Sequence, residues 1–125
     1  MIEQIKGMPT GTLGFRASGK VTAEDYESVL VPDVEAVFAL NHKLRLLYQL
    51  GPGFEGFELG AMWDDAKLGL RHLSGWDRVA VVTDVGWVRA MVSAAGFMAP
   101  AMVELFHDSE FDVAMAWIDR PDDGD

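Results

Sequence analysis

Arg78-Val-Ala-Val-Val-Thr-Asp84 runs directly into Val85-Gly-Trp-Val-Arg-Ala-Met-Val-Ser-Ala-Ala-Gly-Phe-Met-Ala-Pro-Ala-Met102. The first part is a short apolar run closing on a polar pair, and its Val79–Val82 core is apolar on both faces. A strand of that kind needs cover on both sides, as in a parallel sheet packed by helices. The second part carries Trp87, Val88, Met91, Val92 and Ala95 at helical spacing, with Gly96 at its end. The pair therefore reads as a buried strand feeding an amphipathic helix.

Working outward, the same alternation recurs. Residues 2–6 read as an edge strand and Thr12–Ser18 as a second strand. The Gly7–Gly11 cluster between them makes the pair antiparallel. Thr22 and Asp25 form a capping box with Asp in place of Glu. A helical pattern follows, bearing Tyr26, Val29, Leu30, Val34, Val37, Phe38 and Leu40, with a kink or a division into two helical pieces expected at Pro32. Leu44–Leu50 is the third strand, and Gly51-Pro-Gly-Phe-Glu-Gly-Phe57 after it reads as a mobile glycine loop.

Leu59, Met62, Trp63, Ala66, Leu70 and Leu73 then make one apolar helical stripe ending at Gly75, which by default faces a core. Val103–His107 is a fifth strand. Asp108 or Ser109 caps a last helix bearing Phe111, Ala114, Met115 and Ile118. The expected fold is α/β: a single mixed, mostly parallel five-stranded sheet with an antiparallel edge strand and about four helices. Residues 1–118 form one domain and 119–125 an acidic tail.

The chain has 125 residues, no cysteine and a formal charge of −10. That charge argues against a nucleic-acid partner, which needs clustered Lys and Arg. Without cysteine there is neither a disulfide framework nor thiolate chemistry. The N-terminus has no signal-peptide pattern and no apolar run is long enough to span a bilayer, so the expected location is cytoplasmic.

Motifs that could carry chemistry are weak. Gly51-x-Gly53-x-x-Gly56 fits the letters of a dinucleotide turn, but Pro52 lacks an N–H, and Glu55 and Glu58 put negative charge where a phosphate would sit. His42, His72 and His107 form no metal-ligand spacing, so no metal or other cofactor is expected. Asp84 reads as a cap for the helix that starts near Gly86. No catalytic constellation appears, and the chain reads as a non-enzyme.

The Thr22-Ala-Glu-Asp-Tyr26 start with Pro32 downstream, the Leu44–Leu50 strand, the Gly-Phe loop before Leu59, and Trp76–Asp84 followed by Gly86-Trp87 together resemble the SpoIIAA-like proteins, small bacterial chains with a fold similar to STAS domains. The resemblance covers nearly the whole chain. It implies a non-enzymatic α/β module, dimeric, that binds a hydrophobic small molecule and associates peripherally with membranes, here the inner membrane. STAS anti-sigma-factor antagonists carry a phosphorylatable Ser or Thr at the start of the helix after the third strand. Here that place is Phe54-Glu-Gly-Phe-Glu58, with no hydroxyl to accept a phosphate.

Two functional expectations follow. In the first, Gly51–Phe57 is a flap over an apolar pocket or lipid site walled by Phe54, Phe57, Met62, Trp63, Trp87, Met91, Phe97 and Met98. Lys67, Arg71 and Arg89 would meet a polar head group, and an open flap would enter a lipid interface. In the second, the chain is a STAS-type regulator that acts through protein contacts without the phosphorylation switch.

Overall fold

A computed structural model of the protein describes residues 1–40, 43–71, 75–96 and 102–121. Five strands, β1 (Ile2–Gln4), β2 (Thr12–Val21), β3 (Leu44–Phe57), β4 (Trp76–Thr83) and β5 (Met102–Phe106), lie side by side in chain order. β1 pairs antiparallel with β2, and all the other pairings are parallel. The helices are α1 (Ala23–Asp25), α2 (Val31–Ala39), α3 (Leu59–Arg71), α4 (Gly86–Gly96) and α5 (Phe111–Asp119). This is the expected α/β sheet with its antiparallel edge.

Alternation along the strands divides the core in two. Leu44, Leu46, Tyr48 and Leu50 of β3 and Val81 of β4 point to one face, where Tyr26, Leu30, Val34, Ala61, Leu68 and Val88 cover them. Leu47, Ala80, Val82 and Phe106 point to the other, beneath Ala114 and Ile118 of α5. The asymmetry has a topological cause: right-handed crossovers between sequentially ordered parallel strands place the connecting helices on one side. Only the helix after the last strand is free to cross to the opposite face, where Ile5 and Met8 of the β1–β2 connection extend its cover.

Three local expectations are corrected or refined. The Thr22–Asp25 capping box is present, with Asp25 N–H donating to Thr22 Oγ1 at 3.1 Å and Thr22 N–H to Asp25 Oδ2 at 2.9 Å. The interruption expected near Pro32 takes the second of its two forms: α1 and α2 are separate pieces joined by a π-helical turn, Tyr26–Leu30. Proline has no N–H to return to the preceding turn, and a wider turn absorbs the loss without breaking the axis.

The third correction concerns the glycine loop. Gly51–Phe57 continues β3 and is not a mobile flap: Phe54 pairs with Gly19, Gly56 with Lys20 and Phe57 with Val21. The register shifts along this stretch, so β3 carries extra residues that bulge away from β2. Gly19 (φ +60°) and Gly56 (φ +137°) take the backbone conformations that such a bulge needs.

Candidate functional site

α3 and α4 both begin at the carboxyl end of the parallel sheet, where open α/β folds place their ligands. α3 meets the core in an unexpected orientation. Among its described side chains Ala61, Asp64 and Leu68 are buried, while Leu59 (85% exposed), Met62 and Trp63 (64% exposed) face outward; Ala66, Leu70 and Leu73 of the expected stripe lie outside the described side chains. At about 3.6 residues per turn these two sets lie on opposite sides of the helix. The N-terminal half of the stripe expected to pack inward is therefore turned to solvent. On α4, Val88 is buried, whereas Trp87 (48% exposed) and Met91 are exposed.

Beneath this edge sits an aromatic cluster. The Phe54 and Phe57 rings are 4.9 Å apart, and Trp87 lies 6.0 Å from the first and 6.2 Å from the second. Tyr26 meets Phe57 edge-on at 6.4 Å. Phe54 is buried at 8% exposure, so it anchors the end of β3.

A polar chain runs below the rings. Tyr26 donates its hydroxyl proton to Asp65 Oδ1 at 3.1 Å, so the Tyr48 hydroxyl, 3.0 Å away, must donate to Tyr26. Burial pushes the pKa of both tyrosines well above the usual phenol range. The Asp65 carboxyl is also raised, by desolvation, although the residue as a whole keeps an exposed edge. Sequence periodicity does not reveal this chain, because its members come from the π-helical turn, β3 and α3.

At the ends of β4 and β5, Asp84 Oδ1 meets His107 Nδ1 at 2.8 Å and accepts from Asp108 N–H at 3.2 Å. The His107 hydrogen bond holds the Asp84 carboxyl below the usual aspartate range. Burial, then the charge of Asp84, raises Asp108. The expected α4 cap is thus corrected: Asp84 serves the turn leading into α5, while Thr83 Oγ1 accepts from Val85 N–H at 3.1 Å.

Arg89, expected to meet a head group, instead donates Nη1 to the carbonyls of Thr83 and Phe106, at 2.8 and 3.0 Å, and so ties the ends of β4 and β5 together. Lys67 pairs with Asp64 at 3.5 Å. Phe97, Met98 and the Arg71 side chain lie outside the described residues. Of the expected walls, Phe54, Phe57 and Trp87 come together in the structure, and Met62, Trp63 and Met91 lie outside that cluster at the surface. No helix among the described residues is long and apolar enough to cross a membrane.

A family model described as SpoIIAA-like matches residues 12–119. The chain belongs to the SpoIIAA-like family. One solved structure similar to this SpoIIAA-like chain is an uncharacterized protein of Shewanella loihica PV-4, from the DUF3478 family with a SpoIIAA-like fold. It is 30% identical, with a TM-score of 0.72 over 94% of this chain and 92% of that one. No curated protein matches the chain.

Proposed function

We propose that this SpoIIAA-like chain is a non-enzymatic docking module that receives an apolar partner surface at the carboxyl edge of its sheet. The outward apolar stripe of α3 carries the reading. Leaving such area in water forgoes about 25 cal/mol per Å². A helix with Ala61, Asp64 and Leu68 inward and Leu59, Met62 and Trp63 outward invests its apolar surface in a partner. Trp and Met are also residue types enriched where protein interfaces form. This is the regulatory, protein-contact role of a STAS-like fold. A second copy of the chain is the simplest partner, since a twofold contact pairs one stripe with another.

A hydrophobic small molecule or lipid is the second reading, favoured by the exposure of Trp63 and Trp87 at the same edge. In this form the helical residues make the contact and Phe54 and Phe57 support them from beneath. The net charge of −10 opposes anionic membranes.

The test is a Leu59→Ser/Trp63→Gln double variant, compared with the unaltered chain by light scattering on a sizing column, partner capture and flotation with zwitterionic and anionic vesicles. Loss of self-association or of a captured protein supports the first reading, and loss of flotation alone supports the second. A variant that matches the parent in all three assays removes both.

A further inference from the structure

The outward stripe of α3 has a counterpart on α4. Trp87, Ala90, Met91 and Ala94, spaced i, i+3, i+4 and i+7, are all exposed, while Val88 turns inward. Phe57, two residues before α3, lies 6.2 Å from Trp87 in the first turn of α4, which keeps the two helix starts adjacent. Two neighbouring apolar stripes give a docked helix two lines of contact, as helix-in-groove recognition requires.

The charge around the stripes says which helix. The Glu58 carbonyl accepts from Met62 N–H at 3.1 Å, so Glu58 stands at the start of α3 beside the stripe, and Glu55 lies three residues before it. Both side chains are exposed, and neither has an ion-pair partner among the described residues. Asp84 adds a third exposed carboxylate at the end of β4. The described cations of the two helices are engaged. Lys67 sits 3.5 Å from Asp64 Oδ1, while the other oxygen, Oδ2, is buried without a hydrogen-bond partner. Arg89 spends Nη1 on two carbonyls. Lys20, exposed at the end of β2, pairs with neither glutamate. A second copy of the chain brings the same carboxylates against these, and an anionic lipid surface brings phosphates, so both meet like charge on a molecule of net −10. A helix with Lys or Arg beside its apolar side meets opposite charge. We propose that the α3 and α4 stripes together receive a basic amphipathic helix of another protein. Its apolar side lies on Met62, Trp63, Trp87 and Met91, and its cations reach Glu55 and Glu58. This assignment rests on the docking role of α3 and names its partner by chemistry.

A synthetic Leu/Lys peptide of about 14 residues, long enough for several turns with Leu on one side, is the probe. Its Leu/Glu analogue keeps the apolar side and reverses the charge, and a scrambled Leu/Lys peptide keeps the charge and loses the apolar side. Each is titrated into the isotope-labelled full chain at constant ionic strength and followed by amide shifts. Saturable shifts centred on residues 58, 59, 62, 63, 87 and 91 are expected, with the Leu/Lys helix bound at least ~10-fold tighter than either control. Leu59→Ser/Trp63→Gln should weaken binding ~10-fold or more. Met91→Ser, at an exposed position, should weaken it too, which docking on α3 alone would not produce. Glu58→Lys should weaken the Leu/Lys helix and strengthen the Leu/Glu one, each by ~3-fold. A reversed preference cannot come from loss of fold. Equal affinity for either control, binding that survives both apolar variants, or no binding overturns the proposal. Self-association or flotation that the double variant then loses assigns the stripes to a second copy or to lipid and leaves the docking role standing. A double variant equal to the parent there as well removes both.

Discussion

Asp65 and Asp84 are two aspartates moved in opposite directions by their neighbours. Crowding around Asp65 raises its pKa above the ordinary 3.8, so folding favours its protonated form. Its contribution is fully present below 3.8 and is lost as pH rises through the raised value. Asp84 is lowered from 3.8 by His107 and stabilises the fold above that value, losing its effect as pH falls through the lowered one. Urea denaturation across the acid range should therefore show two distinct changes. Asp84→Asn removes a source of acid lability, while Asp65→Asn removes a penalty that begins above 3.8. Tyr26→Phe should cost about 1–3 kcal/mol in the same assay, because it leaves Tyr48 and Asp65 without the hydroxyl that joins them. Little of this was legible in the chain. Asp84 sits two residues before Gly86, which is good cap spacing, but its true partners are 23 and 24 residues away.

At the scale of elements, the strands and helices were readable because their periodicities differ. Val79–Val82 is apolar without alternation and became a central strand covered on both faces, as expected. The Thr22–Asp25 cap was readable because it is local chemistry. Two elements misled for the same reason: context outweighed local pattern. Glycines in 51–56 look like a loop, yet β2 offers a neighbouring strand and the bulge absorbs the extra residues. Gly56→Ala should destabilise by about 1–3 kcal/mol, measured by thermal or urea unfolding. An added Cβ would meet no atom within 4 Å, so the penalty reports the φ of +137° alone. Amides of residues 54–57 should exchange with deuterium slowly, as a paired strand does and a flap does not. For the N-terminal half of α3, the Leu59, Met62 and Trp63 stripe turns outward and not to the core, because periodicity identifies an apolar side without saying what it faces.

Across the whole molecule, α5 and the β1–β2 connection together cover one face of the sheet. α5 spans Leu47, Ala80, Val82 and Phe106, and its end is held by two arginines reaching from the amino ends of β3 and β4. Arg45 donates Nη1 to the carbonyls of Ile118 and Arg120 and pairs through Nε with Asp77 at 2.8 Å. Arg78, 4% exposed, donates to the carbonyls of Trp117, Arg120 and Pro121 and lies 5.5 Å from the Trp117 ring. These positive groups meet the negative end of the helix, where the last carbonyls lack intrahelical donors. Arg78→Met should destabilise by about 3 kcal/mol or more in urea unfolding, since it strips several carbonyls of a charged donor. Arg78→Lys should rescue only part of the loss, because an ammonium lacks the planar fork. The start of the expected acidic tail is thereby drawn into the fold, as the bonded carbonyls of Arg120 and Pro121 record. By itself the sequence determined the fold class, the antiparallel edge, the order of elements and the α1 cap, since these follow from periodicity and neighbours a few residues apart. The tertiary structure decided which way α3 turns its apolar side, where β3 ends, what Asp84 and Arg89 hold, and that Asp64 is buried with an unmet oxygen. Each of those depends on contacts between distant segments, whose free energies exceed the local preferences that a linear pattern expresses.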